Sequence, residues 1–206
     1  SLRQVITKMY EKYETGGKLT YQEMAKYNRL KRLNKELIVS TAELYKTNQK
    51  AITAALKDSY TFGFNNTGKI IEKVTDKRLK GIIKHEVLQR SLTNDISGLK
   101  WTERMGLHRD YAVSKIRQTV TQGLHNGETY KQMSDRLNEA LSGDVVNPMR
   151  IVRTEGHRVF SEAKKDNLDE ADKAGIKMMK VWATSRDERV RSSHAEMDGV
   201  MVPYED

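Results

Sequence analysis

The chain has 206 residues, with 37 Lys and Arg against 28 Asp and Glu, a formal net charge of +9, two prolines and no cysteine. This length allows one domain or two small ones with a real hydrophobic core. The absence of cysteine excludes a disulfide scaffold and any thiolate metal site within the chain. The apolar runs are only a few residues long, which excludes a membrane span, and we expect no secretory leader. We therefore expect a cytoplasmic origin.

The charge is distributed unevenly along the sequence. Residues 1–143 contain 26 basic and 15 acidic residues, a net charge of +11, whereas residues 144–206 contain 11 basic and 13 acidic residues, a net charge of −2. A region with such an excess of positive charge attracts polyanions at low salt. The alternative is a solvated helical surface that is simply rich in lysine.

The N-terminal part is predicted to be helical, because no proline occurs before Pro148. Gly16 and Gly17 end a first short helix, and Thr20 and Glu23 have the spacing of a capping box that opens the next one. This second helix is predicted to continue to about residue 60, and the turn-forming segment 62–68 is expected to break it. Its apolar stripe consists of Leu30, Leu33, Leu37, Leu44, Ile52 and Leu56.

Three further helices are predicted before residue 142, over residues 75–92, 103–124 and 129–141. A loop at 93–98 separates the first two, and the segment 125–127 ends the second. Thr129 and Gln132 form another capping box at the start of the third. The core face of the middle helix is predicted to contain Val113, Ile116, Val120 and Leu124.

The last quarter of the chain has a different pattern. A linker at 142–147 leads into a helix with Asn147 as N-cap and Pro148 at its first position, and Gly175 is placed to end it. Residues 177–184 alternate as in a strand, residues 187–197 form a short helix, and 200–202 form a partner strand before Pro203. The predicted fold is mainly α. A basic long-helix region at 1–143 is followed by a small α+β module at 144–206 that contains helix, strand, short helix and strand.

Short motifs follow one another in register through this module, namely Arg153-Thr154-Glu155, Trp182, Asp187-Glu188-Arg189-Val190-Arg191, His194 and Asp198-Gly199. Their order and spacing resemble the C-terminal domain of the phage head morphogenesis family, the Mu F-like minor head proteins. The resemblance is strongest from residue 153 to residue 203. Upstream, Trp101, the helix around residues 116–124 and the segment 125–129 are similar to the family's looser helical region.

The resemblance implies a non-enzymatic minor capsid protein of a tailed phage or prophage that needs no cofactor. It implies association with the portal protein, incorporation inside the capsid after assembly in the host cytoplasm, and a role in head assembly or in DNA packaging and ejection. Scaffold or major capsid protein and non-specifically bound double-stranded DNA are further expected partners, and a membrane is not. We expect the α+β module to dock onto the partner and the long helices to extend away from the docking site.

The motif residues are predicted to form a structural network of charged hydrogen bonds, because so small a module has little apolar core. Glu155 is placed to pair with Arg158 three positions later, and His194 and Asp198 are spaced to share a helix face. Many family members carry cysteines that suggest a metal site, whereas Ser192 and His194 stand in that region here. The alternative is a metal-dependent nuclease or toxin-delivery module that uses Asp187, His194 and Asp198.

A basic cluster near the start of the long helix is the candidate nucleic-acid contact. It is distributed around the helix rather than along one stripe, and no base-reading motif accompanies it. It contains Lys26, Arg29, Lys31, Arg32 and Lys35.

Overall fold

A computed structural model describes residues 2–79, 81–96, 98–142 and 146–204 of the chain. Within these residues the fold is mainly α and ends in one two-stranded antiparallel sheet, as predicted. None of the helices in this part of the chain is long and apolar enough to span a membrane. The elements in chain order are α1 (Leu2–Tyr13), α2 (Tyr21–Ala25), a 3₁₀ turn (Lys26–Asn28), α3 (Arg29–Thr75), α4 (His85–Thr93), α5 (Trp101–His125), α6 (Tyr130–Ser142), α7 (Val146–Lys173), β1 (Met179–Val181), α8 (Ser192–Ala195) and β2 (Met201–Pro203).

The predicted helix from Thr20 to residue 60 is wrong at its beginning. Thr20 caps α2 by accepting a hydrogen bond from the Glu23 backbone N–H, as the capping box requires. The chain then turns at Tyr27 and Asn28, both left-handed with φ of 52° and 58°, and α3 begins only at Arg29. Asparagine tolerates left-handed backbone better than most residues, but a single Asn within a helical pattern does not by itself indicate a break.

The predicted break at residues 62–68 is also wrong, because α3 continues without interruption for 47 residues to Thr75. At 1.5 Å per residue it is about 70 Å long. Its glycines serve close helix packing: a Cβ at Gly63 would lie 2.9 Å from the Phe160 carbonyl oxygen of α7, and one at Gly68 would lie 3.1 Å from Nδ2 of Asn167. The turn-forming composition therefore marks the contact between α3 and α7.

The helix predicted over residues 75–92 is confirmed only in its second half. Asp76 has φ of 54° and ends α3, after which residues 76–79 and 81–84 are not helical. The Leu79 N–H donates to the Glu72 carboxylate, and a Cβ at Gly81 would lie 3.0 Å from the Phe64 ring. This segment therefore lies against α3, and α4 begins at His85.

Helices α5, α6 and α7 agree with their predictions, except at the start of α7. On α5, Ile116, Val120 and Leu124 are buried while Val113 is only partly so, and the Thr129–Gln132 capping box is formed. Gly175, with φ of 77°, follows the end of α7. The prediction of Asn147 as N-cap and Pro148 as the first helical residue is wrong, because α7 already begins at Val146. Residues 143–145 of the predicted linker lie outside the described residues, and residues 142, 146 and 147 are helical. On α3 the predicted stripe is buried at Leu33, Leu37, Ile52 and Leu56, with Leu30 partly buried and Leu44 exposed.

Two large apolar clusters form the core. One joins α1, α2, α3, α5 and α6, and the other joins α3, α4, α5 and α7. The boundary predicted at residue 143 therefore separates helices that share the second cluster, since α7 packs along α3. The boundary itself stays a prediction.

The C-terminal strands pair in antiparallel register, with Lys180 opposite Val202. The intervening helix is shorter than predicted. Only Ser192–Ala195 is α-helical, because residues 187–190 form a turn that the Asp187 carboxylate closes by accepting from the Arg189 N–H. Gly199, with φ of 85°, makes the predicted turn before β2.

Candidate functional site

The most buried motif residue is Glu155, whose side chain has no solvent exposure. Helix α7 turns it toward α5, where Arg104 binds its Oε1. The Arg158 Nε donates to the other carboxylate oxygen at 2.9 Å, which confirms the pairing predicted from their spacing. Both carboxylate oxygens are therefore held by guanidinium groups, as a buried carboxylate requires.

Arg158 carries this network on to α4. Its two terminal nitrogens donate to the Glu162 carboxylate at 2.8 Å and to the Ser91 carbonyl oxygen at 2.6 Å. Glu162 also accepts from the Ser91 hydroxyl at 3.0 Å and from the Asn94 amide at 2.9 Å. The network thus ties α4 and α5 to α7.

The other two residues of this motif lie elsewhere. Arg153 and Thr154 are exposed on α7, so the three-residue motif divides into a buried acid and an exposed pair. Sequence reasoning missed Arg104, which lies 51 positions before Glu155. Neither its residue type nor its spacing signals the contact, because only the packing of α5 on α7 creates it.

Asp198 is the centre of a second network, in the hairpin. One carboxylate oxygen accepts from the Thr184 N–H at 2.8 Å and from its hydroxyl at 3.1 Å, and the other accepts from Arg186 Nε at 2.7 Å. The hydrogen bond from the Thr184 backbone, followed by that from Arg186, lowers the pKa of the Asp198 carboxyl. The Gly199 N–H donates to the Trp182 carbonyl at 2.8 Å, so this network closes the loop between β1 and β2.

The remaining motif side chains have separate partners. Asp187 binds Arg189, with 2.6 Å between its Oδ2 and Nη2, and this ion pair lowers the pKa of the Asp187 carboxyl. His194 lies edge-on to Trp182, with 5.6 Å between ring centroids. Asp198 is occupied by Thr184 and Arg186, as described above. Among the described residues, no three His, Cys, Asp or Glu side chains are grouped so that they could hold a metal ion.

The hairpin is attached to α7 at its base. The Tyr204 hydroxyl donates to the Asp169 carboxylate at 2.5 Å. Burial and this carboxylate raise the pKa of the Tyr204 hydroxyl, so it is protonated and a donor at neutral pH. Met178 packs against a small apolar cluster that contains Ile71 and Ile176. The position of the hairpin is therefore fixed relative to α3 and α7.

Beyond this attachment, the hairpin presents apolar side chains to solvent. Met179 and Met201, which lie on the two paired strands, are 57% and 62% exposed. Exposed large apolar side chains grouped on one small element favour contact with a partner. Because side chains alternate between the two faces of a strand, Met179, Val181 and Met201 lie on one face of the hairpin and Val202 on the other. We call this group the hairpin surface, and it consists of Met179, Val181, Trp182, Met197, Val200, Met201 and Val202.

The basic cluster is divided by the turn between α2 and α3. Lys26 and Arg29 both bind the Glu23 carboxylate, at 2.5 Å and 3.2 Å. In contrast, Lys31 and Lys35 are exposed and form no ion pair among the described residues. Together with Arg32, they line an open groove.

Comparison with known proteins identifies a family and relatives of this chain. Residues 114–206 match the family model described as Phage Mu protein F like protein. The chain is 29% identical over 202 residues to "Minor head protein GP7" of Bacillus phage SPP1, which covers 98% of this chain and 65% of that protein. The chain therefore spans less than two thirds of the length of this relative. No solved structure matches the chain significantly.

A second relative is an enzyme by name. The chain is 26% identical over 125 residues to "NAD(+)--arginine ADP-ribosyltransferase EFV" of Enterococcus faecalis, which covers 61% of this chain but only 26% of that protein. Most of that enzyme thus lies outside the region of similarity. The family model covers α7, which carries Glu155, and the whole hairpin. The predicted motifs lie on these two elements. Residues 114–206 thus match the Phage Mu protein F like family model, and the predicted resemblance to this family is confirmed for this part of the chain.

Proposed function

We propose that this chain is a structural, non-enzymatic component of a phage head, and that it acts in head morphogenesis by docking onto the portal protein. The similarity to a minor head protein over 98% of the chain supports the role in the head. The hairpin surface supports docking and is the observation that carries this part of the proposal. In this proposal the protein assembles in the host cytoplasm and resides inside the capsid, where scaffold and major capsid protein are further partners.

The hairpin surface suits docking because it is both apolar and fixed. Its seven large apolar side chains remain at least 40% exposed, although burying such side chains stabilises a protein by about 1.5–3 kcal/mol each. The Tyr204–Asp169 hydrogen bond holds the hairpin on α7. A partner that covers this surface therefore gains apolar burial and orders few additional groups, which favours affinity.

A binding assay with purified portal rings tests this docking. We expect the full chain to be retained by the rings, and Met201→Lys to weaken retention about tenfold or more, because it places a charge in an apolar contact. Val74→Lys is the matched control, since Val74 is 78% exposed on α3 and outside the hairpin surface. Equal retention of the two variants, or no retention of the unmodified chain, would contradict the proposal.

Contact with packaged DNA is a second part of the proposal. It is supported by the charge of residues 1–143, with 26 basic against 15 acidic residues. We expect the full chain to bind double-stranded DNA without sequence preference, with an affinity that falls steeply as salt rises. Absence of retention on DNA at about 50 mM salt or below would refute this part and leave docking untouched.

A second candidate function is that of a module within a toxin. The similarity to an ADP-ribosyltransferase favours it, and a metal-dependent nuclease is the further alternative. Incubation with labelled NAD⁺ and an arginine-containing acceptor tests the first activity. A DNA-cleavage assay with Mg²⁺, Mn²⁺ and Zn²⁺, with His194→Ala and Asp198→Ala as controls, tests the second. We expect neither activity. Transfer of ADP-ribose to the acceptor, or DNA cleavage that either substitution abolishes, would overturn the structural proposal.

A further inference from the structure

The turn between α2 and α3 places Tyr27 in a conformation that its residue type disfavours. Tyr27 and Asn28 are consecutive left-handed residues with φ of 52° and 58°, and neither is a glycine. Such conformations persist only where surrounding contacts impose them, and they are concentrated at functional sites. Here Glu23 binds Arg29, and Arg32 donates to the Tyr27 carbonyl oxygen at 2.9 Å. The turn is therefore a built feature of the fold.

This turn forms one wall of an open groove of about 800 Å³ between α2, the start of α3 and α5. The basic side chains of Lys31, Arg32 and Lys35 lie along it, and Arg117 of α5 completes the rim. No Asp or Glu among the described residues lines the groove. The rim therefore presents uncompensated positive charge, which selects an acidic occupant.

The remaining lining is aliphatic rather than aromatic. It includes Ala25, Leu30 and Ile38. The aromatic ring of the lining, Tyr21, is stacked on His125 with 4.1 Å between centroids. Asn34 lines the same groove, and its buried Oδ1 has no hydrogen-bond partner among the described residues. The groove thus offers an apolar floor and a cationic rim.

We propose that this groove binds an acidic amphipathic segment of a partner protein, with aliphatic side chains on the floor and carboxylates on the rim. An acidic peptide supplies both complements, because its carboxylates match the cationic rim and its Leu or Ile side chains match the aliphatic floor. The backbone of duplex DNA brings charge but no apolar surface for the floor, and single-stranded nucleic acid prefers open aromatic platforms. This site is distinct from the hairpin surface, so it gives the protein a second contact.

Fluorescence anisotropy with three labelled probes tests the assignment on the full chain. The first is a synthetic helical peptide of Glu and Leu with the Leu residues on one face. The second is the same peptide with each Leu replaced by Ser, so that the charge is unchanged, and the third is a short DNA duplex. We expect the Glu/Leu peptide to bind about tenfold or more tightly than the Glu/Ser peptide at physiological salt, because burial of even one Leu side chain accounts for that ratio.

Two groove variants and one control separate the contributions. The triple variant Lys31→Glu, Lys35→Glu, Arg117→Glu and the floor variant Ile38→Ser should each weaken Glu/Leu peptide binding about tenfold. The control triple Lys46→Glu, Lys50→Glu, Lys57→Glu makes the same charge change on the exposed part of α3 outside the groove and should have an effect below about threefold, because distant charges are screened. Lys31→Ala alone is a milder rim variant, and circular dichroism checks the fold of each.

Equal binding of the two peptides would overturn the proposal. An equal loss of peptide affinity in the control triple variant would also overturn it. Binding of duplex DNA that depends on the rim and is indifferent to Ile38→Ser would assign the groove to phosphate instead and would overturn the peptide proposal. The portal-binding assay uses a variant of the hairpin surface and none of the groove. A negative result for the groove therefore leaves the proposal of portal docking unaffected.

Discussion

Replacing Glu155 by Ala tests the buried charge network most directly. The substitution leaves Arg104 and Arg158 without the carboxylate that holds them, and their side chains are only 22% and 19% exposed. Removal of one partner from a buried ion pair costs about 3–5 kcal/mol. Arg158 keeps Glu162 and the Ser91 carbonyl, so we expect a loss near the lower limit, about 3 kcal/mol. This is a large fraction of the stability of a typical domain.

Urea denaturation followed by far-UV circular dichroism measures this loss. Asp110→Ala is the control, because it removes a carboxylate from an exposed ion pair with Arg109 on the same helix as Arg104 and should cost less than about 0.5 kcal/mol. Glu155→Gln keeps the shape of the side chain and should have an intermediate effect. If Glu155→Ala and Asp110→Ala destabilised the protein equally, the buried network would not be what joins α5 to α7.

Helix packing and hairpin charge give further expected outcomes. Gly63→Ala places a Cβ 2.9 Å from the Phe160 carbonyl oxygen and should cost about 1–3 kcal/mol in the same assay, whereas Gly106→Ala, with open space within 4 Å, should stabilise by up to about 1 kcal/mol. Effects of the same sign would refute the role of Gly63 in close packing. Because the folded pKa of the Asp198 carboxyl is lowered, its contribution to hairpin stability is present above the unfolded pKa of about 4 and is lost as pH falls through the folded value. The Thr184 amide donates a hydrogen bond to Asp198, so its NMR chemical shift should titrate with a midpoint below the pKa of an unfolded Asp. A midpoint at or above about 4 would contradict the network.

Local signals predicted much of the fold. Capping residues act through neighbours in sequence, so the starts of α2 and α6 are correct: Thr20 accepts from the Glu23 N–H, and Thr129 and Gln132 exchange hydrogen bonds. The end of α7 is correct for the same reason, because Gly175 adopts a left-handed conformation that favours glycine. The apolar period likewise predicted the buried face of α5.

The wrong boundaries have a common physical cause. Glycines and asparagines at 62–68 are typical of a turn, but Gly63 and Gly68 let the backbone of α3 approach α7. Packing thus outweighs the low helix propensity of glycine, which costs only about 1 kcal/mol per residue. Conversely, residues such as Tyr27 with ordinary propensity adopt a left-handed turn because Arg32 and the Glu23 ion pairs hold it. In both places the backbone conformation is determined by specific side-chain or helix–helix contacts, which the local residue types do not indicate.

The motif that identified the C-terminal module divides into two units with different physical roles. Glu155 is fully buried and faces Arg104, so a short motif on one helix acts through a residue that its own spacing does not indicate. Asp198 instead binds Thr184 and Arg186 within 14 residues and closes the hairpin locally. The first network fixes α7 on the helical body, and the second shapes the hairpin that α7 carries. Because the two share no residue, we expect substitutions at Glu155 and Asp198 to be additive in stability. Coupling above about 0.5 kcal/mol in a double-mutant cycle would show instead that the hairpin and the buried network form one cooperative unit.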